Sequence, residues 1–425
     1  MFICIFYLLL SLAPLILANG ALAYIVLDQQ CWHEYPLSVA NLYSSPDRVR
    51  EYATLIQTYT VDEQPNVVAK EEDYAPWSYP PVCTDILQSI NDKLCVYTDS
   101  SFGNGRGISI FTTPKLARQV TSLPAFQDPS ALDTQNINTF TGTWKATPIA
   151  GKGIGMLASK PLQFKDRITA YTPAFIAYLE TELSTSDREA WWRVGIEQLP
   201  AKIKENFLSL TYVFGDERVR VQDIVKANTF QLNIEGVNHL VVFPETSRLN
   251  HACNPNAQYV IDSELLTHTV HATRPIAEGE EITISYTSPL EPTSVRQENL
   301  QHGFHFTCTC PRCADGWYSD QILEAIDNLQ NQLNDWSSNP SDSTELAEQI
   351  LQMHRDEGLE GFMDIAYGFA ALAYNAAGKS KKAVHFAKKA EEALLMKDGK
   401  WAPNLQLWND LRADPKKHWS YRRRL

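Results

Sequence analysis

Three cysteines occupy six consecutive positions of the chain, in the pattern Cys308-x-Cys310-x-x-Cys313. The whole sequence of 425 residues contains only eight cysteines, too few for a fold held together by disulfides. Thiolates crowded at this spacing are typical of tetrahedral zinc ligands, which tie a short segment together without a large apolar core. The cluster therefore predicts a metal site, and a pair of local disulfides is the alternative that the spacing leaves open.

Charge and composition narrow the class of protein further. The chain carries 37 basic and 50 acidic side chains, a net charge of −13, and 44% of its residues are hydrophobic. This apolar content exceeds that of disordered chains, and the length suits one long domain or roughly two to three shorter ones. Phosphate binding needs clustered Lys and Arg, so the acidic balance predicts no direct nucleic-acid binding.

The N-terminal segment has the pattern of a targeting signal. Residues 2–17 form an apolar run, and the small residues that follow include Ala21-x-Ala23, which fits a signal-peptidase site. We therefore expect a signal peptide at residues 1–23 and a mature chain that is secreted or held in the lumen of the secretory pathway. Because no Lys or Arg precedes the apolar run, a retained N-terminal membrane anchor is the alternative. No membrane span is expected after cleavage, since no other stretch is long and apolar enough.

The rest of the chain divides by its hydrophobic pattern. Turn formers punctuate residues 24–140, an N-terminal region that contains cysteines and has no regular period. Short strand-like runs dominate residues 141–290, and a helix-like insert interrupts them at about residues 185–228. Residues 281–286 alternate apolar and polar side chains, which predicts a strand with Tyr286 on its apolar face.

The C-terminal part of the chain, residues 317–425, has a helical pattern. Asp342-x-x-Glu345 predicts a capping box at the start of one helix. Two Ala-rich helices joined at residues 378–380 are similar to one tetratricopeptide-type (TPR-like) hairpin, and a general helical packing module is the alternative.

Three separated motifs carry the functional signal. Residues 151–158 read GKGIGMLA, residues 250–256 read NHACNPN, and residues 279–286 read GEEITISY, with the cysteine cluster following. In this order the motifs resemble those of SET-domain protein lysine methyltransferases, most closely the SET–MYND type. The resemblance implies an α+β protein with a β-rich SET domain at residues 141–290 and a zinc-binding post-SET segment at residues 291–316, followed by the helical region.

The resemblance also implies a role for individual residues in methylation of a protein lysine by S-adenosylmethionine. Tyr286 is the implied catalytic residue, and Phe230 and Phe304 are the implied walls of the substrate channel. Cys253 is implied as a fourth zinc ligand beside the three clustered cysteines. The implied cofactor-binding residues are Lys152, Gly153, Gly155, Asn228, Asn250, His251 and Phe306.

The chemistry of methyl transfer agrees with these residue types. Displacement at a sulfonium by an amine is an in-line reaction, so catalysis consists mainly of alignment and exclusion of water. A glycine-rich turn allows backbone amides to approach the amino-acid end of the cofactor. An apolar aromatic channel favours the neutral amine, because burial penalises the charged ammonium form.

The sequence departs from the family pattern in three places. Ala252 stands where the family usually has Ser, no Cys or His cluster that would form a MYND finger interrupts the first half, and residues 164–167 lack the usual Gly before the strand near Ile168. Two alternatives therefore stay open: a SET-shaped binding module without catalysis, and a secreted disulfide protein without a metal.

The remaining cysteines bear on the second alternative. Cys4 would leave with the signal peptide, which leaves Cys31, Cys83 and Cys95 outside the cluster. Three is an odd number, so at most one disulfide forms among them. We predict the pair Cys83–Cys95, because the loop that it closes is short.

Overall fold

A computed structural model of the protein describes residues 74–128, 130–337 and 342–424. The predicted signal peptide, Cys4 and Cys31 lie outside the described residues. Within the described residues, no helix combines the length and the apolar character that crossing a bilayer would need.

The described chain divides into two compact units. The first, called the sheet unit here, consists of residues 74–286 and 300–306. The second, called the helical unit, consists of residues 287–299 and 307–424. The α+β class predicted from the sequence is confirmed, with a β-rich part followed by helices.

The strands of the described residues lie in the sheet unit. They are β1 (Val82–Cys83), β2 (Cys95–Asp99), β3 (Ile108–Thr112), β4 (Trp144–Ile149), β5 (Gly153–Ala158), β6 (Arg167–Tyr171), β7 (Phe175–Tyr178), β8 (Thr229–Ile234), β9 (Val237–Val242), β10 (Asn250–His251), β11 (Ala257–Asp262), β12 (Thr267–Ala272) and β13 (Glu281–Ile284). They form a six-stranded sheet of order β1-β2-β3-β7-β9-β8, a four-stranded sheet of order β10-β13-β5-β4 and a three-stranded sheet of order β11-β12-β6.

The helices of the described residues belong to both units. They are α1 (Phe102–Gly105), α2 (Pro114–Thr121), α3 (Pro124–Gln127), α4 (Ser130–Thr134), α5 (Thr185–Glu197), α6 (Ala201–Leu208), α7 (Arg220–Asn228), α8 (Thr293–Phe304), α9 (Pro311–Ala314), α10 (Gly316–Asn334), α11 (Ser343–Asp356), α12 (Met363–Ala376), α13 (Ser380–Lys397) and α14 (Leu405–Ala413). Helices α5, α6 and α7 form the insert that the sequence predicted.

The region before residue 140 is more regular than its sequence pattern indicated. Strands β2 and β3 lie here, and every residue of both is buried. They pair with each other, and β3 pairs in parallel with β7, so this region contributes to the same sheet as later strands. The prediction of an irregular region was wrong for these strands, because strands buried on both faces lack the alternation that period-based reading detects.

A disulfide joins Cys83 to Cys95, which confirms the predicted pair. The two cysteines face each other in the antiparallel register of β1 and β2. The bond therefore ties the short edge strand β1 to the buried strand β2.

The departure near Ile168 is accommodated by the backbone. Lys165 has a φ of +73°, a left-handed conformation that favours glycine. Its N–H donates to the carbonyl of Ala272 at 2.8 Å, which holds the turn against the three-stranded sheet. The turn thus keeps a glycine-like geometry although it contains a lysine.

The helical unit has its own apolar core, built mainly from α10 to α14. Helices α12 and α13 are joined at Gly378, whose φ is +72°, in agreement with the predicted helix end. The predicted capping box is not formed, because the side chain of Asp342 makes no capping hydrogen bond to α11. The likeness to a tetratricopeptide hairpin stays a prediction.

Gly368 provides a test of packing in the helical unit. A Cβ at this position would lie 2.7 Å from the buried indole of Trp408. Gly368→Ala should therefore lower the free energy of unfolding by about 1–3 kcal/mol through overpacking, although alanine is the better helix former. Urea unfolding measures the change, with the exposed Lys388→Ala as the helix-propensity control. Equal or higher stability of Gly368→Ala would contradict this packing.

Candidate active site

Backbone pairing brings the three sequence motifs together in the four-stranded sheet. Strand β10 carries Asn250 and His251 and pairs in parallel with β13, and β13 pairs with β5 of the glycine-rich segment. Residues far apart in sequence, such as Met156 and Ile282, therefore pair on the adjacent strands β5 and β13, and β10 lies on the other side of β13. This arrangement is confined to the sheet unit.

The glycine-rich strand approaches the second motif closely. A Cβ on Gly155 would lie 2.6 Å from Nδ2 of Asn250 and 3.1 Å from Oε1 of Glu281. Gly153, two residues earlier, has a φ of +76°. Both glycines are thus required, one by close approach and the other by its backbone conformation.

Glu281 connects residues that the sequence assigned separately. Its Oε2 lies 2.7 Å from Nζ of Lys152, and its Oε1 accepts a hydrogen bond of 2.9 Å from Nδ2 of Asn250. Glu281 was missed as a site residue in the sequence analysis. The signal available was its place on the polar side of β13, directly before the apolar Ile282, in the third motif.

Asn256 fixes the second motif onto β13. Its amide donates to Oε1 of Glu280 at 3.0 Å and to the carbonyl of Glu281 at 2.8 Å. Its Oδ1 accepts the N–H of Thr283 at 2.9 Å. Glu280 also pairs with Arg274 at 2.7 Å. Asn256, the last residue of the NHACNPN motif, therefore holds this motif against the backbone of β13.

His251 joins the second motif to Tyr286. Its Nδ1 accepts the backbone N–H of Tyr286 at 3.0 Å, and its Nε2 lies 3.3 Å from Sγ of Cys253. Because a backbone N–H can only donate, Nδ1 carries no proton in this contact, and the neutral ring then has its proton on Nε2, facing the sulfur. The imidazole is buried. It therefore connects the backbone of Tyr286 to the side chain of Cys253.

The hydroxyl of Tyr286 has a fixed direction. It donates to the carbonyl of Leu249 at 2.5 Å. Burial and, secondarily, the carboxylate of Glu281 raise the pKa of Tyr286 above its ordinary value. The phenol is therefore neutral at physiological pH, with its proton committed to a main-chain acceptor.

Two phenylalanines surround Tyr286. The ring centroid of Phe304 lies 4.6 Å from that of Tyr286, and that of Phe306 lies 6.4 Å from it. Phe306 is also 6.0 Å from the ring of His251. The structure thus brings His251, Tyr286, Phe304 and Phe306 into one aromatic group.

Two other predicted residues have different surroundings. Phe230 makes ring contacts with Phe243, Tyr259 and His268, although it packs against the same apolar core as Tyr286. The side-chain amide of Asn228 donates to the carbonyls of Thr211 and Ile224, each at 2.7 Å, which uses both of its hydrogens within the chain. Their roles at the substrate and the cofactor stay predictions.

Four cysteines lie together, and they are the four that the sequence indicated. The Sγ atoms of Cys253, Cys308, Cys310 and Cys313 are all within 4.8 Å of one another. Thiolates around a tetrahedral zinc ion, with Zn–S bonds of about 2.3 Å, are separated by about 3.8 Å. The donor set and the spacing therefore fit a structural zinc ion, and Cys253 and Cys308 are buried.

Comparison with known proteins agrees with this geometry. Residues 153–287 match the SET domain family. The matched span begins at the glycine-rich strand β5 and ends one residue after Tyr286, so it contains β5, β10 and β13, the paired strands that bring the three motifs together.

Proteins with similar sequences include proteins named for a SET domain or for lysine methylation. SET domain-containing protein SmydA-8, isoform A, of Drosophila melanogaster is 32% identical over 130 residues, which is 30% of this chain and 28% of that protein. Histone-lysine N-methyltransferase set5 of Schizosaccharomyces pombe is 27% identical over 271 residues, 61% of this chain and 80% of that protein. N-lysine methyltransferase SMYD2 of Homo sapiens is 35% identical over 91 residues, 21% of each chain. The chain thus spans less than a third of SmydA-8 and of SMYD2, and most of set5.

Proposed function

We propose that the protein is a methyltransferase that transfers the methyl group of S-adenosylmethionine to a lysine of a protein substrate. The observation that carries the proposal is the four-stranded sheet of the SET domain. It places the glycine-rich turn, the Asn250–His251 pair and the end of the strand before Tyr286 side by side. The names of set5 and SMYD2 describe methylation of lysine and support the same reaction.

The residues around Gly155 suit the cofactor. The closeness of Asn250 and Glu281 to this position leaves room only for a glycine, and Lys152 and Asn250 are held in place by Glu281. In the proposal these two side chains, the backbone near Gly153 and the backbone of His251 bind the cofactor. Asn228 completes this set, and Phe306 stacks on the adenine.

S-adenosylmethionine supplies the electrophilic methyl group on its sulfonium. The chain supplies alignment and an apolar environment. In the proposal Phe304, beside Tyr286, and Phe230 are the walls of the lysine channel; they disfavour a charged ammonium and so promote loss of the proton from the substrate lysine. The Tyr286 hydroxyl donates its hydrogen bond to the carbonyl of Leu249, so the lone pairs of its oxygen accept an N–H of the neutral amine and orient the nitrogen toward the methyl group.

Zinc belongs to the same proposal. Cys253, Cys308, Cys310 and Cys313 would hold it as thiolates, and a closed site of four protein ligands has a structural role. The alternative of a disulfide protein without a metal is disfavoured, because the four clustered sulfur atoms have a spacing that fits a metal ion, whereas the described disulfide joins Cys83 and Cys95.

The experiment that tests the function uses the purified full chain with radiolabelled S-adenosylmethionine, a cell lysate and purified histones. We expect incorporation of label, and hydrolysis of the product should release methyl-lysine. Calorimetry of cofactor binding separates the catalytic protein from a SET-shaped binding module. A folded chain that contains zinc but binds no cofactor would overturn the proposal.

Asn250→Ala should weaken cofactor binding by about 1–3 kcal/mol, which is the usual penalty when a polar group that binding buries is left without its partner. Calorimetry on the full chain measures the change. Glu281→Ala should reproduce part of it, because Lys152 and Asn250 both lose the group that orients them. Asn331→Ala, an exposed position on α10, is the matched control. Equal affinity in Asn250→Ala and the control would remove Asn250 from the cofactor site.

A further inference from the structure

The metal-binding segment contains a buried arginine. Arg312 lies between Cys310 and Cys313 on the short helix α9, and its side chain is only 5% exposed. Burial of a guanidinium is costly unless partners satisfy it. Its position between two clustered cysteines means that its partners also determine where those cysteines lie.

The partners of Arg312 come from three elements of the helical unit. Its Nε donates to Oε2 of Glu357 at 2.7 Å and lies 3.2 Å from Oγ of Ser319. Its Nη1 donates to the carbonyl of Pro289 at 2.9 Å. Ser319 also donates to Glu357 at 2.6 Å. Glu357 follows the last residue of α11 and Ser319 lies in the first turn of α10, so one side chain connects the cysteine segment to both helices.

A second side chain holds the start of the same segment. The amide of Gln297, on α8, contacts both backbone groups of Cys308. Its Oε1 accepts the Cys308 N–H at 2.9 Å, and its Nε2 donates to the Cys308 carbonyl at 2.7 Å. Between these anchors, the carbonyl of Cys310 accepts the N–H of Cys313 at 3.0 Å, which forms the turn between the last two thiols.

We propose that Gln297 and Arg312 are positioning residues of the metal site. They hold the backbone of the cysteine segment in its binding geometry, and the helical unit takes part through Glu357 and Ser319. A preformed set of ligands loses less conformational entropy when the metal binds, so these contacts raise the affinity for zinc. The inference rests on the zinc site of the proposed function, but it concerns metal affinity and does not depend on methylation.

The test is competition for zinc between the reduced full chain and a chromophoric chelator. Arg312→Gln should weaken zinc affinity by about 10–100-fold, which is typical when a residue that supports metal ligands is removed. Glu357→Gln should have a similar effect. The zinc affinity of the double variant should fall by less than the product of the two single-variant factors, because both substitutions break the same contact between Arg312 and Glu357.

Arg424→Gln is the matched control for the loss of a buried arginine. Arg424 donates to the carbonyls of Leu333 and Asp335 at the C-terminal end of α10, about 28 Å along the helix from the end near the cysteines. This variant should keep the zinc affinity of the parent chain even where its stability falls. A loss of zinc affinity equal to that of Arg312→Gln would mean that the effect is general destabilisation, and would overturn the inference.

Gln297→Ala tests the same inference without disturbing a buried charge, so it remains informative where Arg312→Gln does not fold. We expect weaker zinc binding than in Gln332→Ala, an exposed glutamine of α10. Parent-like zinc affinity in Gln297→Ala overturns the inference on Gln297 and leaves the proposed methylation intact. Absence of cofactor binding in a chain whose zinc affinity responds as expected would instead overturn the proposed methylation alone.

Discussion

Tyr286→Phe is expected to lower the rate constant of lysine methylation by about 10²–10³-fold, the usual loss when one positioned polar group is removed from an active site. The hydroxyl is held by the Leu249 carbonyl at 2.5 Å, and phenylalanine removes this contact together with the oxygen that would orient the amine. The aromatic contacts with Phe304 and Phe306 are kept. Cofactor affinity and zinc content should therefore stay close to those of the parent chain.

Single-turnover incorporation of label measures this effect on the full chain. The matched control is Tyr171→Phe, since Tyr171 is a buried tyrosine, and burial raises its pKa to about 12. It lies at the end of β6 in the three-stranded sheet, so its hydroxyl has no part in the proposed reaction. A parent-like rate in Tyr286→Phe would remove Tyr286 from the catalytic role.

The pH dependence follows from the same residue. Because the pKa of Tyr286 is raised, mainly by burial, the phenol stays protonated below its ordinary pKa of about 10. An increase in rate between neutral pH and about pH 9 then arises from deprotonation of the substrate lysine and not from Tyr286. Tyr286→Phe should lower the whole profile in this range and leave its shape unchanged.

Cys310→Ser is expected to abolish stoichiometric zinc binding. Four thiolates form a closed site, and binding of structural zinc by such sites contributes on the order of 10 kcal/mol in small domains. Removal of one thiolate leaves three sulfurs of the cluster, so the parent chain should contain one zinc ion and the variant none. Metal analysis together with thiol counting measures this outcome, and thermal unfolding should show lower stability of the variant.

The control for Cys310→Ser is removal of the disulfide between Cys83 and Cys95. Cys83→Ala combined with Cys95→Ala should lower the free energy of unfolding by about 3 kcal/mol, because the disulfide restricts the unfolded chain by joining residues 12 positions apart. Its zinc content should not change. Full zinc content in Cys310→Ser, or clustered cysteines found in disulfides in the parent chain, would contradict the zinc site.

The local sequence pattern was sufficient to predict several elements of secondary structure. The alternation of Ile282 and Ile284 with polar neighbours predicted β13, and both isoleucines are buried. The end of α12 at Gly378 followed from the need for a left-handed residue after the last turn. These features depend on the conformational preferences of residues that are neighbours in sequence, so the sequence records them directly.

Other features required the motifs to be considered together. Cys253 lies 55 positions before Cys308, and spacing alone does not identify it as a partner of the cluster. Its assignment came from the resemblance to SET proteins, and the structure brings its sulfur to within 4.8 Å of the other three. The complete set of four candidate zinc ligands could therefore be predicted from the sequence only through its resemblance to a known family.

By itself, the sequence determined the α+β class, the order of the motifs and the cluster of Cys308, Cys310 and Cys313, because composition, period and motif chemistry are local properties. Only the tertiary structure showed that Glu281 holds both Lys152 and Asn250, and that Arg312 is anchored by Glu357. From the sequence alone, charged residues such as these are expected to lie on the surface of the protein. Their roles are decided by partners that are 31 to 129 positions away and that only folding brings within hydrogen-bond distance.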